Sequence, residues 1–187
     1  MTISSRGWVR YRFLLLAIGP LFGWPACAGA QIINEYAIPD SSTSTPGDIT
    51  SGPDGALWFA VDDCSNGLHC NPIGQIERIT TSGKITKYSV PKPYSIAAGP
   101  DGELWFTHNS GIGRITTAGV VTEHPLPSKS LPDGIVAGPG GALWFGDDGT
   151  NVIGRITTSG TITEYPLPAG CDSIIGVAIT AGPDGAL

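Results

Sequence analysis

Gly99-Pro100-Asp101-Gly102-Glu103-Leu104-Trp105-Phe106 is the stretch from which the rest of the chain is read. It stands earlier as Gly52-Pro53-Asp54-Gly55-Ala56-Leu57-Trp58-Phe59 and later as Gly138-Pro139-Gly140-Gly141-Ala142-Leu143-Trp144-Phe145. A fourth copy begins Gly182-Pro183-Asp184-Gly185-Ala186-Leu187, where the sequence stops. Proline presets the backbone of a turn, and aspartate and glycine accept the conformations that follow it. Pro-Asp-Gly ahead of an aromatic apolar run therefore predicts a tight turn feeding a buried strand. Copies at intervals of about 40 residues make the chain a repeat array.

Two further segments recur in register with the first. Ile112-Gly113-Arg114-Ile115-Thr116-Thr117 is matched by Ile153-Gly154-Arg155-Ile156-Thr157-Thr158 and by Ile76-Glu77-Arg78-Ile79-Thr80-Thr81. Ile162-Thr163-Glu164-Tyr165-Pro166-Leu167-Pro168 is matched by Val121-Thr122-Glu123-His124-Pro125-Leu126-Pro127 and Ile85-Thr86-Lys87-Tyr88-Ser89-Val90-Pro91. Ser82-Gly83, Ala118-Gly119 and Ser159-Gly160 join these segments as hairpin turns, where glycine takes positive φ. The last segment alternates apolar and polar residues, as a half-exposed strand does, and closes on prolines that suit a strand end.

Four antiparallel strands per unit describe a β-propeller blade. The fold class is all-β, a partial propeller of three to four four-stranded blades. Strand lead-ins fall near residues 40–48, 93–106, 132–145 and 176–187. Trp58, Trp105 and Trp144 recur in every unit and are expected to fill the space between blades. Ile33-Asn34-Glu35-Tyr36-Ala37-Ile38-Pro39 reads as a lone outer strand ahead of the first full unit. Three full units, one leading strand and one trailing strand fall short of the four to eight blades that close a ring. A piece of a longer propeller is the expectation.

Residues 1–30 read as a signal peptide, with Arg6, Arg10 and Arg12 ahead of a short apolar run and Ala28-Gly29-Ala30 as the cleavage site. This predicts a secreted or periplasmic protein, residues 31–187, with no membrane attachment after cleavage. The chain carries ten basic and sixteen acidic residues, net −6. The leader holds three of the basic residues and none of the acidic ones, so the remainder is more acidic still. With no basic stripe, nucleic acid is excluded as a partner. In an oxidising compartment Cys64 and Cys70, which bracket Ser65-Asn66-Gly67-Leu68-His69, are expected to form a local disulfide. Closing so short a loop contributes about 2 kcal/mol on chain-entropy grounds. Metal binding by Cys64, His69 and Cys70 is the alternative, although the spacing is unlike paired zinc motifs. Cys171 is left over.

The three submotifs together resemble the virginiamycin B lyase, or streptogramin lyase, family over residues 33–187. The resemblance implies a seven-bladed propeller with its site at one end of the central channel. It implies a carbon–oxygen lyase that linearises cyclic streptogramin B antibiotics without hydrolysis. A general base removes the proton α to the ester carbonyl, the ester C–O bond breaks by elimination, and Mg2+ assists. Such chemistry needs a base within reach of the Cα proton and a Lewis acid for the enolate oxygen. In the family, histidine and glutamate of the late blades do this work around a Pro-His-Gly-Ile lead-in. The matching positions here read Pro46-Gly47-Asp48-Ile49, Pro93-Tyr94-Ser95-Ile96, Pro132-Asp133-Gly134-Ile135 and Gly176-Val177-Ala178-Ile179, with no histidine.

The residues that base and metal would use are therefore not identified in this sequence. Tyr94 matches an early-blade tyrosine of the family's site. Two positions after Trp-Phe the units carry Val61, His108 and Asp147, at the mouth of the channel. Tyr94, His108, Asp133 and Asp147 are the candidate mouth residues, and a small molecule or peptide at the channel is the expected ligand. The competing role for His108 is a strand-end residue, and for Asp133, Asp147 and Asp148 a turn residue. His124 replaces the outer-strand tyrosine and reads as structural. The chain alone is expected to be inactive. Two other readings stand beside the lyase: a secreted binding propeller without chemistry, and a metal-dependent lactonase, which needs several acidic and Asn ligands converging on the channel.

Overall fold

A computed structural model of the chain describes residues 34–38, 44–63, 73–168 and 179–187. The expected leader, the Cys64/Cys70 pair with His69, and Cys171 lie outside the described residues. Tyr36–Leu187 form one unit and Met1–Glu35 another. No helix among the described residues is long and apolar enough to cross a membrane.

Each full repeat is one four-stranded antiparallel sheet, its strands paired in chain order. Blade 1 holds β1 (Ser44–Ser51), β2 (Leu57–Asp63), β3 (Ile73–Ile79) and β4 (Ile85–Pro91). Blade 2 holds β5 (Pro93–Ala98), β6 (Leu104–His108), β7 (Gly111–Ile115) and β8 (Val121–Pro125). Blade 3 holds β9 (Pro132–Gly138), β10 (Ala142–Asp147), β11 (Val152–Thr157) and β12 (Ile162–Pro166).

The repeated Pro-Asp-Gly turn does more than reverse the chain. Asp54 Oδ1 accepts the Trp58 Nε1 proton at 3.0 Å, and Oδ2 accepts from Arg78 Nε at 2.5 Å. Burial raises the Asp54 pKa, but the hydrogen bonds from Trp58 and Arg78 outweigh it and hold the carboxyl below its usual value. Asp101 repeats the arrangement, 3.1 Å from Trp105 Nε1 and 3.2 Å from Arg114 Nε. Blade 3 has Gly140 in place of the aspartate; there Trp144 Nε1 donates to Pro139 O at 3.3 Å and Arg155 to Gly140 O at 3.4 Å. In each blade the indole lies between the arginine, 5.7–5.9 Å from the ring centre, and a stacked outer-strand ring: Tyr88, His124 or Tyr165. The fourth turn forms in the same way, with Gly182 N donating to Ala186 O at 2.7 Å.

The expected role holds for Trp58 and Trp105, which pack between blades, whereas Trp144 is half-buried and belongs to neither inter-blade cluster. Trp58 and Ile76 of blade 1 meet Ile96, Leu104, Phe106 and Ile115 of blade 2. Trp105 and Ile112 of blade 2 meet Ile135, Leu143, Phe145 and Ile156 of blade 3. The rim adds a second contact. The ring of Tyr88 occupies the space a Cβ on Gly119 would take, and His124 does the same at Gly160. Tyr36 fills that place at Gly83, so it stands where an outer-strand ring of a preceding blade would stand. These glycines have φ of +84, +88 and +90, so both the turn and the seated ring demand glycine.

Candidate functional site

The inner strands β1, β5 and β9 break their ladders at the same point of each repeat. Register shifts fall between Pro46 and Ile49 and between Pro93 and Ile96; opposite β9 the shift lies between Phe145 and Asp147, which pair with Ile135 and Pro132. Proline cannot donate to the ladder, and the residues that follow it are released from pairing. A bulge of this kind re-aims side chains, and bulges are common beside functional sites. The released pairs are Gly47–Asp48, Tyr94–Ser95 and Asp133–Gly134.

Ser95 ties the three lead-ins together. Its hydroxyl donates to Asp48 Oδ2 at 2.5 Å in the preceding blade and accepts from Ile135 N at 3.3 Å in the following one. Ser95 N in turn donates to Thr107 Oγ1 at 3.1 Å. Asp48 and Ser95 share one place in the repeat, two residues past the proline. That spacing alone marks them, although sequence reading singled out only their neighbours.

Two openings flank this line. One, of about 310 Å3, is lined by Thr45, Pro46, Gly47, Ala60, Pro93 and Tyr94. The other, of about 240 Å3, is lined by Tyr94, Leu131, Pro132, Asp133 and Asp148. Tyr94 borders both. Its hydroxyl donates to Asn109 Oδ1, and the Lys92 ammonium lies 5.9 Å from its ring centre. Asp133 is partly buried; desolvation, then the charges of Asp148 and Asp48, push its pKa up.

Of the four candidate mouth residues, Tyr94 and Asp133 thus share an opening, and His108 and Asp147 line neither. Both of the latter are buried. Asp147 Oδ1 accepts backbone protons from Leu131 at 2.8 Å, Gly149 at 3.0 Å and Thr150 at 3.3 Å, which pins the approach to β9 against the β10–β11 turn. His108 ends β6 against Phe106, with Ser110 Oγ 3.4 Å from Nδ1, and its Nε2 has no hydrogen-bond partner. Burial lowers its pKa against an opposing pull from Glu123. His124 is stacked on Trp105 and is likewise lowered, by burial and by Arg114. Among the described residues no group of three or more His, Cys, Asp or Glu is placed to hold a metal ion.

The fold and the three spaced submotifs can now be set against known proteins. The virginiamycin B lyase family model matches residues 34–187. The chain belongs to the virginiamycin B lyase family. The Staphylococcus aureus virginiamycin B lyase, as a selenomethionine crystal structure, is 44% identical with a TM-score of 0.63, over 74% of this chain and 46% of that one. A catalytically inactive histidine-to-alanine variant of the same enzyme, crystallised with quinupristin, gives 43% identity and a TM-score of 0.64 over the same shares. A streptogramin B lyase structure gives 40% and 0.62, over 73% of this chain and 45% of that one. The chain therefore spans about half the length of the solved lyases it matches. Among curated proteins no match was found.

Proposed function

We propose that this protein is an exported propeller of the streptogramin lyase type, handling its ligand at the end where the bulged lead-ins of the inner strands line up. The supporting observation is the in-register family match across residues 34–187. The reaction is elimination at the ester of a cyclic streptogramin B: a base takes the Cα proton, the ester C–O bond breaks, and the ring opens without consuming water. Magnesium assistance is proposed for the complete reaction, at a site outside the described residues of these blades.

Within that reaction we assign these blades to ligand contact and not to the proton transfer. The place that carries the family's lead-in histidine is Gly47, Tyr94 or Asp133 here. His108 is buried at the end of β6 and His124 is stacked on Trp105 at the rim, so neither lines an opening. Tyr94, held by Asn109, offers a fixed ring to both openings, and Asp133 offers a carboxyl in a partly desolvated setting. A ring with one anchored hydroxyl recognises an aromatic peptide group at little entropic cost.

The test is chromatography and mass spectrometry of quinupristin incubated with the 187-residue chain and Mg2+, with binding followed in parallel by calorimetry. Binding without ring opening, weakened by Tyr94→Ala, is expected. A retention shift at unchanged mass would show elimination by these blades and overturn the assignment. Absence of both binding and conversion favours the second reading, a secreted propeller for another ligand, which the missing histidine at all three described lead-ins supports.

A further inference from the structure

Blade 3 departs from blade 2 at two places that touch. After Trp-Phe, the turn from β6 to β7 is Asn109-Ser110, whereas the turn from β10 to β11 is Asp148-Gly149-Thr150-Asn151. The linker into the blade is longer as well: Lys92 alone separates β4 from β5, but residues 126–131 separate β8 from β9. The two extensions clasp each other. Asp148 N donates to Leu131 O at 3.1 Å, and the linker backbone at Lys129 O leaves no room for a Cβ on Gly149. Among the described residues, the non-glycine positions with positive φ are Lys129 and Asn151, one in each extension.

The clasp closes over oxygens that it does not itself satisfy. Ser130 is 4% exposed, and its Oγ has no hydrogen-bond partner. Asp147 is fully buried, and while Oδ1 takes three N–H groups, Oδ2 has no partner. Thr150 Oγ1 is buried in the same state. All three belong to one contact, because Asp147 Oδ1 accepts from the N–H of Thr150 and from that of Leu131, the neighbour of Ser130. Buried polar atoms of this kind call for an ion or a water. A carboxylate oxygen beside two hydroxyl oxygens is a set of hard, oxygen-only ligands.

We propose that the clasp between the β8–β9 linker and the β10–β11 turn holds a calcium ion, bound by Asp147 Oδ2, Ser130 Oγ and Thr150 Oγ1. Calcium accepts neutral oxygens from loops in varied geometry, whereas magnesium demands a near-ideal octahedron and keeps its waters. Asp148, next in the chain, brings a second negative charge to the same turn. Two carboxylates with neutral oxygens suffice for such an ion, without a third acid or an imidazole. Leu131 and Asp148 also line the opening that Tyr94 and Asp133 share. The ion therefore fixes one wall of that opening, whichever ligand the opening takes.

Calorimetric titration of CaCl2 into the full 187-residue chain, exchanged into metal-free buffer, tests this. One-to-one binding is expected, with a thermal midpoint that rises as Ca2+ is added, since an ion that binds only the folded chain stabilises it. Asp147→Asn, which removes the charge at nearly constant size, is expected to weaken binding at least about tenfold, and Ser130→Ala about threefold or more. Where circular dichroism shows that Asp147→Asn has lost its sheet signal, Ser130→Ala combined with Thr150→Val carries the comparison. No saturable binding up to about 10 mM Ca2+ overturns the inference, and water then meets these oxygens. Binding that the folded variants leave unchanged overturns it equally, because the ion then sits elsewhere.

Discussion

Asp147 gathers three backbone N–H groups on one carboxylate oxygen while fully buried. Asp147→Ala leaves those donors without their charged acceptor. A loss of about 2–3 kcal/mol is expected, read by urea denaturation. His108 makes the opposite point, since its environment disfavours charge. Both described histidines are held below the ordinary value of 6.5, His108 mainly by burial, His124 by burial and Arg114. A depressed folded-state pKa costs nothing above 6.5; below it the unfolded chain binds protons that the folded chain refuses, and stability falls. Denaturation at pH 7.5 and 5 is therefore expected to show a deficit at the lower pH. His108→Val with His124→Tyr, each the residue another blade carries at that place, is expected to shrink the deficit.

The blade is built around one indole with an acid below it, a guanidinium over one face and a ring on the other. Asp101→Ala removes the acceptor of Trp105 Nε1 and the partner of Arg114. Burying an unmet indole donor costs about 1–3 kcal/mol. The change is checked by thermal unfolding and by a shift in tryptophan emission. The equivalent loss is already present in blade 3, where Pro139 O takes over as acceptor. The turn, the indole and the outer-strand position of this element were legible beforehand, because they recur at fixed spacing; that the aspartate and the arginine close on the indole was not. Nor was the lead-in bulge. Pro-x-x-Ile showed where the strand starts but not that its two middle residues leave the ladder, since register is a property of pairing across strands. For the same reason His108 and Asp147 read as mouth residues from their distance past Trp-Phe, although the structure buries both and brings only Tyr94 and Asp133 to an opening. Asn109, one residue on from His108, was passed over, and only the tertiary contact with Tyr94 reveals it.

Blades meet through apolar packing, through rim rings seated on glycine, and through one polar thread at the inner strands. Ser95 carries that thread in both directions, so Ser95→Ala cuts two blade-to-blade hydrogen bonds at once. About 1–3 kcal/mol is expected to be lost. In an array whose stability is a sum of units and neighbour contacts, the unfolding transition also broadens. Ser95→Thr, which keeps the hydroxyl, tests whether the bond or the volume matters, with calorimetric and van't Hoff enthalpies as the measure. The family match reaches this level as well: the part of the chain that matches covers 46% of the Staphylococcus aureus lyase.

The glycine seats have a bearing on how such a protein changes over generations. A unit copied whole brings along its own protruding ring and its own hollow, already matched to whatever stands on either side. Lengthening or shortening the series by whole units thus calls for no fresh fitting at the periphery. A single methyl group added at Gly119 would instead halt that interchange, because every ring arriving there would find its berth filled.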